Sequence, residues 1–312
     1  MSNQHYQLKL DGLKEPQGQI KASDLHQVLG ALIKTAERAT RLMATGESKG
    51  GKPKWLAETT AFVVTGLTEG STILEIDAPE IGATAKEHFV QSDFWREPPE
   101  NSDTALTLAA QAIDEALSDG DSSERFDSGL LDAALEFRKV ARDADIKYKL
   151  IPTGNARGTF ELSQRSYETF EAKKKKLPEP RAFIVSGRLD HIQYSDRQFL
   201  LVLTAGQKLR GSIHQEFLSE ESLRPLWGKP VTIEGLVHFK ANGTPRFIEA
   251  RKLSVQTSQD SIFDEMPRIS VGETAEFFPE LSTKSKKRAD PMVLWNTWPG
   301  DESIDELMAQ LD

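Results

Sequence analysis

Residues 181–255 restrict the possible fold more than any other part of the chain, because their pattern predicts a series of β-strands. Apolar and polar residues alternate over 183–190 and again over 231–239, and this period of two is typical of strands with one buried and one solvated face. The apolar run 199–203 and the segment 209–213 predict two more strands between them. A fifth strand is expected at the end of the stretch.

A helix and a turn fix the order of these strands. The spacing of residues 217–226 is helical, so a short helix is expected between the third and fourth strands. Asn242-Gly243 has the residues of a type I′ turn and predicts a hairpin between the fourth and fifth strands. This order resembles the OB-fold, a small five-stranded barrel that commonly binds oligonucleotides or oligosaccharides. Glycines inside the expected strands permit the sharp bends of such a barrel: Gly187, Gly211 and Gly235.

The preceding residues, 1–176, predict an α+β domain. Ser23 is the expected N-cap of a long amphipathic helix within it. The expected elements are, in chain order, a strand at 6–10, that helix, two strands on either side of Glu69-Gly70, helices near 103–117 and 130–140, a hairpin around Gly154-Asn155, and a helix that ends at Lys176. A stiff proline-containing spacer at 177–180 marks the boundary with the barrel. The sequence therefore predicts the α+β class, with domains at 1–176 and 181–255 and an extended tail at 256–312.

The composition limits the chemistry that the chain can carry. It has no cysteine, which excludes disulfides, thiol catalysis and cysteine-bound zinc. None of its six histidines is spaced from another like metal ligands on a helix, and no nucleophile elbow or phosphate-binding glycine loop is present. We therefore expect no enzyme, no metal and no cofactor. No run approaches the roughly 18 apolar residues of a membrane span, and the first residues lack the regions of a signal peptide, so a cytoplasmic protein is expected.

The predicted barrel is basic within an acidic protein. Residues 181–255 contain eleven basic and seven acidic side chains, a balance of +4, whereas the whole chain has a net charge of −9. A positive segment favours a polyanion, and the residues that would bind single-stranded nucleic acid are Arg188, Arg210, His238, Lys240, Arg246 and Arg251. Aromatic stacking platforms are few, with Tyr194, His238 and Phe239 as the candidates. The lysine run 173–176 adds a nonspecific contact to phosphates or serves only as a solvated linker. The alternative is a structural or protein-docking barrel whose charges are solvated.

The carboxy-terminal residues have the features of a binding segment. Ser303 and Glu306 form a capping box that starts a helix. An apolar stripe follows at positions i, i+3, i+4 and i+7, namely Ile304, Leu307, Met308 and Leu311. A helix of about nine residues does not persist alone in water, so this stripe needs a surface on which to dock. Two tryptophans, the residue type most enriched as an interface anchor, precede the helix at Trp295 and Trp298.

A resemblance to a known family lies in the segment Trp298-Pro299-Gly300-Asp301-Glu302-Ser303 and the acidic helix that follows it. The segment resembles the carboxy-terminal extension of type II antitoxins, particularly those that neutralise PIN-domain ribonuclease toxins. The resemblance covers residues 295–312 and implies a noncatalytic protein whose tail packs tryptophan and leucine side chains into a groove of the toxin. It implies acidic charge partners at Asp301, Glu302, Asp305 and Glu306.

The rest of the chain departs from that family. Antitoxins usually carry a ribbon-helix-helix or swapped-hairpin DNA-binding domain, and residues 1–290 have no pattern of either kind. Binding to an operator is therefore not implied. The alternative interpretation of the tail is that it caps the chain's own barrel or first domain.

Overall fold

The computed structural model of the protein describes residues 2–16, 18–68, 72–89, 98–118, 120–140, 146–193, 198–213 and 224–269. Over these residues the fold is mixed α/β, with a five-stranded sheet packed against helices and a separate closed barrel of five strands. Both parts belong to one unit, Met1–Val271, and the chain's second unit, Gly272–Asp312, contains none of the described residues. The predicted α+β class and the predicted five-stranded barrel are confirmed.

The strands of the sheet are β1 (Asn3–Asp11), β2 (Val63–Thr68), β3 (Thr72–Pro79), β4 (Lys147–Thr153) and β5 (Phe160–Leu162). Their order is β2-β3-β1-β4-β5, and every neighbouring pair is antiparallel. The first strand of the chain therefore lies at the centre of the sheet. All five strands were expected from the sequence, and four of them alternate buried and more exposed residues; β2, Val-Val-Thr-Gly-Leu-Thr, does not.

Six α-helices are described: α1 (Ala22–Thr45), α2 (Lys54–Thr59), α3 (Ile81–Thr84), α4 (Ala105–Leu117), α5 (Ser128–Leu135) and α6 (Gln164–Lys176). The prediction of Ser23 as the N-cap of α1 is wrong. Lys21 holds that position, Ser23 lies inside the first turn, and the Ser23 hydroxyl donates to the Asp24 carboxylate over 3.1 Å. α4 has the stronger start, since Thr104 and Thr107 form a reciprocal capping box.

One face of the sheet and the apolar faces of α1, α4, α5 and α6 enclose the first core. In β1, Tyr6, Leu8 and Leu10 are buried, while the residues between them are partly exposed. The buried Tyr6 hydroxyl lies 2.8 Å from Thr104 Oγ1 and donates to the Arg157 carbonyl over 3.1 Å. A buried hydroxyl without partners would cost free energy, so these contacts hold the start of α4 on the sheet.

The barrel strands are β6 (Arg181–Gln193), β7 (Gln198–Val202), β8 (Lys208–Ile213), β9 (Pro230–Phe239) and β10 (Pro245–Val255). They close in the order β10-β8-β7-β6-β9, with β8 and β10 parallel and the other pairs antiparallel. This closed five-stranded arrangement is compatible with an OB-like fold. The second core fills its interior with alternate residues such as Val185, Ile233 and Ile248.

Glycines in the barrel strands allow close approach of neighbouring atoms, in addition to the bends expected from the sequence. A Cβ atom on Gly235 would lie 2.3 Å from the Glu249 carbonyl oxygen, and one on Gly211 would lie 2.2 Å from Cζ of Phe199. Any side chain at either position would force the strands apart. The tight spacing of the barrel therefore depends on these two glycines.

The connections between the barrel strands differ in detail from the prediction. The hairpin between β9 and β10 is confirmed, but its turn is centred on Ala241-Asn242, because the Gly243 amide donates to the Lys240 carbonyl over 3.0 Å. Gly243 then takes a φ of +77°, as in the three-residue hairpin loops that end in a left-handed glycine. Most of the expected helix at 217–226 lies outside the described residues, and its end is a 3₁₀ turn at Arg224–Leu226.

Candidate functional site

The helices α1, α4, α5 and α6, with the loops between them, form a layer that we call the helix layer. The barrel packs against this layer along one side, and we call the contact surface the junction. The helix layer contributes the loop after α1, the loop between α4 and α5 and the start of α5. The barrel contributes β7, β9, β10 and the turn between the last two. The Gln198 side chain donates to the Ala44 carbonyl over 2.9 Å, and the Asn242 amide donates to the Asp121 carbonyl over 3.1 Å. Gly46, with a φ of +85°, lies so close to Phe247 that a Cβ atom there would be 2.7 Å from the ring. The junction is therefore tightly packed.

Asp127 lies at the centre of the junction and connects three segments of the chain. As the N-cap of α5, it accepts a hydrogen bond from the Leu130 amide over 2.9 Å. It also accepts from the amide and the hydroxyl of Ser48, over 3.1 Å and 2.5 Å. From the barrel, both terminal nitrogens of Arg246 lie 3.4 Å from Asp127 Oδ2. One carboxylate thus holds the α1 loop, the start of α5 and strand β10 together.

The Arg246 side chain is only 6% exposed, which is unusual for arginine. Its Nε atom is buried and has no hydrogen-bond partner among the described residues. Burying a charge is costly unless it is paired, so Asp127 supplies the main compensation. Burial alone would raise the pKa of Asp127, but Arg246 and the hydrogen bonds from Ser48 and Leu130 outweigh it and lower the pKa. The Asp127 carboxylate is therefore ionised at neutral pH.

Two further titratable groups at the junction are perturbed by burial. Burial and the charge of Arg246 lower the pKa of His238 to about 4, so its ring is neutral at pH 7. The His238 Nε2 atom has no partner among the described residues, and its ring centroid lies 5.8 Å from that of Phe247. Burial, with a contribution from the charge of Glu249, raises the pKa of Glu47. These shifts reflect a poorly hydrated contact surface.

Lysines of the run at the end of α6 are held by the helix layer. Lys173 is 7% exposed, and its ammonium donates to the Ser118 and Gly120 carbonyls and lies 5.2 Å from the centroid of the Phe126 ring. Lys174 pairs with Asp132 over 2.6 Å. Lys173 therefore satisfies carbonyl groups just after α4. It is not the solvated linker residue, or the phosphate contact, that the sequence suggested.

A cleft of about 680 Å³ opens beside the junction, between the end of α6 and strand β9. Its charged lining residues are Glu47, Lys49, Asp127, Asp132, Lys174, Lys175, Glu179 and Arg246. These are four acids and four bases, so the lining has no net charge that would attract an ion of either sign. Among the described residues, no group of three or more histidine or acidic side chains could hold a metal ion.

Three of the six predicted nucleic-acid residues lie at the junction. His238 and Arg246 lie in the junction, and Lys240 pairs there with Glu124 of the helix layer over 2.6 Å. Arg188 lies on β6, where it is 60% exposed and pairs with Asp190 over 3.2 Å. The other two lie on strands that pair with each other, Arg210 on β8 and Arg251 on β10. In OB-folds the ligand commonly crosses the second and third strands and the loop between the last two, and here that loop contacts the helix layer.

Trp227 is an exposed aromatic residue that the sequence reasoning did not select. Its side chain is 67% exposed, and its indole N–H donates to the Asp190 carbonyl over 3.0 Å. The Leu189 carbonyl accepts from the Gly228 amide over 2.8 Å, so the loop with Trp227 is fixed against β6 beside Arg188. The signal was present in the sequence, because Trp227 stands next to Gly228 and outside the alternating apolar pattern.

The predicted partner-binding residues lie outside the described part of the chain: Trp295, Trp298, Asp301, Glu302, Ile304, Asp305, Glu306, Leu307, Met308 and Leu311. Within the described residues, the helices are too short or too polar to span a bilayer.

Comparisons of the chain with known proteins found no relative. No protein-family model, no curated protein and no solved structure matches the chain.

Proposed function

We propose that this protein is a noncatalytic, antitoxin-like protein that binds and neutralises a partner toxin through residues 291–312. A PIN-domain ribonuclease is the class of toxin that the resemblance implies. The observation that carries the proposal is the sequence of the tail, in which two tryptophans precede a capped helix with one apolar stripe and only acidic charges.

The chemistry of the tail indicates the partner surface. The side chains of Ile304, Leu307 and Leu311 would fill an apolar groove, while Trp298 would anchor the entry to the helix. The acidic residues around them favour a basic rim on the partner. When a short helix forms only on binding, ordering its backbone and side chains costs free energy. The contact with the partner must offset this cost, so a large apolar contact is expected.

In this proposal the sheet, the helices and the barrel serve as a scaffold for the tail. The junction joins the barrel to the helix layer through three contacts. These are the buried Arg246–Asp127 ion pair, the Lys240–Glu124 ion pair and the close approach of Gly46 to Phe247. Removal of the tail should therefore leave both cores folded.

The test is affinity capture from the native host, with mass spectrometry, for the full chain and for a chain that ends at Asp290. We expect a small basic protein with the full chain only, together with ribonuclease activity that the full chain suppresses. A Leu307→Asp variant should lose the partner, whereas Gln310→Ala, off the apolar stripe of the same helix, should retain it. Recovery of the same proteins by the full and shortened chains would overturn the proposal.

A second candidate function, binding of single-stranded nucleic acid, is favoured by one observation, the exposed and tethered Trp227 beside Arg188. Base stacking on one aromatic ring contributes about 1–3 kcal/mol. Anisotropy with labelled oligothymidylate should therefore show weaker binding by Trp227→Ala, partial recovery in Trp227→Phe, and no change in Ile262→Ala, whose residue is also exposed. Binding that is absent at low salt, or unaffected by Trp227→Ala, would exclude this function for the barrel.

A further inference from the structure

Strand β2 forms an exposed, apolar edge of the sheet. It pairs with β3 on one side, and no described strand pairs with its other side. Three of its aliphatic side chains are unusually exposed for their type, with Val63 at 53%, Val64 at 43% and Leu67 at 46%. A free strand edge presents unpaired backbone N–H and C=O groups, which can pair with another strand. This edge therefore combines exposed apolar side chains with backbone groups that no described strand pairs.

The edge has one of the features that usually prevent such pairing, a register shift, but lacks the others. Natural edge strands carry lysine, other charges, proline or a β-bulge, or are very short. The opposite edge, β5, follows this rule, since it has only three residues and a central Glu161. β2 has six residues, Val-Val-Thr-Gly-Leu-Thr, with no charge and no proline, and only a register shift between Val64 and Gly66 interrupts it. β2 is thus the open edge of this sheet.

The chemistry of β2 favours a second copy of the same strand as its partner. When a strand pairs antiparallel with its own copy about a two-fold axis, residue i of one copy faces residue j of the other and residue j faces residue i, as Val63 and Leu67 would about an axis at Thr65. Like charges at two such positions would repel each other. The neutral β2 avoids this repulsion. The lack of charge also leaves nothing on the strand that would select an acidic or a basic peptide. Matching β-branched and apolar side chains across the axis add favourable cross-strand contacts.

We propose that the protein forms a homodimer in which β2 pairs antiparallel with β2 of a second copy. The two sheets then become one continuous sheet of ten strands, five from each copy. A contact limited to one strand and its flanks buries less than a standard interface, so the dimer should dissociate at about micromolar concentration. Each dimer would present two carboxy-terminal tails, although the proposal does not depend on what the tails bind.

The test is sedimentation equilibrium of the full chain from about 1 to 100 µM, a range that brackets a micromolar dissociation constant. The wild type should change from the monomer mass of 34.8 kDa to twice that value as concentration rises. Val63→Lys with Leu67→Lys should raise the dissociation constant at least about tenfold through like-charge repulsion across the axis. The matched control is Ile262→Lys, which should dimerise like the wild type. Ile262 is 75% exposed and lies in the 3₁₀ turn after the last barrel strand, not in the sheet.

A second measurement does not depend on the variants' folding. Hydrogen exchange of the wild type at low and high concentration should show slower exchange for amides of Val63–Thr68 in the dimer, with amides of β5 unchanged. A wild type that stays monomeric throughout would overturn the proposal. So would a dimer that the double lysine variant forms equally well, or one without concentration-dependent protection in β2.

Discussion

Replacing Asp127 by alanine should destabilise the protein more than any other single change at the junction. Loss of a helix N-cap costs about 1 kcal/mol. Loss of the partner of a buried charge costs about 3–5 kcal/mol, and the 3.4 Å separation from Arg246 places this pair at the lower end of that range. The free energy of unfolding should therefore fall by about 4 kcal/mol for Asp127→Ala. For Asp127→Asn, which keeps the cap but removes the charge, we expect a loss of about 3 kcal/mol.

A double-mutant cycle separates the ion pair from the cap. Arg246→Met removes the buried cation and keeps most of the side-chain volume, so Asp127→Asn in that background should cost far less than in the wild type. We expect a coupling energy of at least about 1.5 kcal/mol between the two positions. Urea unfolding followed by circular dichroism and by tryptophan fluorescence measures each variant. Additive effects, or a loss below about 1 kcal/mol for Asp127→Ala, would refute the role assigned to this pair.

Two other perturbations test the junction. Gly46→Ala should lower the free energy of unfolding by about 1–3 kcal/mol, because Gly46 has a positive φ and no room beside Phe247. Gly30→Ala, in an exposed and open position of α1, should instead raise it by about 0.5–1 kcal/mol in the same thermal or urea unfolding experiment. His238, whose pKa is about 4 in the folded protein against 6.5 as a reference value, contributes stability that is present above pH 6.5 and is lost as the pH falls through 6.5 towards 4. The wild type should therefore lose up to about 3 kcal/mol relative to His238→Gln over that range, and parallel stability curves for the two proteins would contradict the assignment.

The strands and most helices could be predicted because their signals are local. The alternation over residues 231–239, for example, reports one buried face, and the pattern depends only on neighbours in the chain. The predictions that were wrong misplaced an element end or a turn by one or two residues. Ser23 is a good capping residue, but Lys21 precedes the helix. The turn between β9 and β10 lies one residue earlier than Asn242-Gly243 suggested.

The junction could not be predicted, because its partners are far apart in the chain. Arg246 and Asp127 are separated by 119 residues, and a basic residue in a predicted strand looks the same whether it faces phosphate or a buried carboxylate. The same holds for Lys173, which shares the buried face of α6 with Tyr167 and Phe170. Lys174, four residues after Phe170, fits the helical period equally well, so the period does not show which lysine of the run is buried.

The central position of β1 has a consequence for how the protein reaches its native state. Leu8 pairs with Leu74 on one side and with Leu150 on the other, so a chain loop of about 140 residues must close before the sheet is complete. Nonlocal pairing of this kind slows folding. The barrel strands β6, β7 and β8 follow one another directly and can pair much sooner. Refolding should therefore be biphasic, with a fast phase in the barrel and a slow phase in which the sheet captures β1.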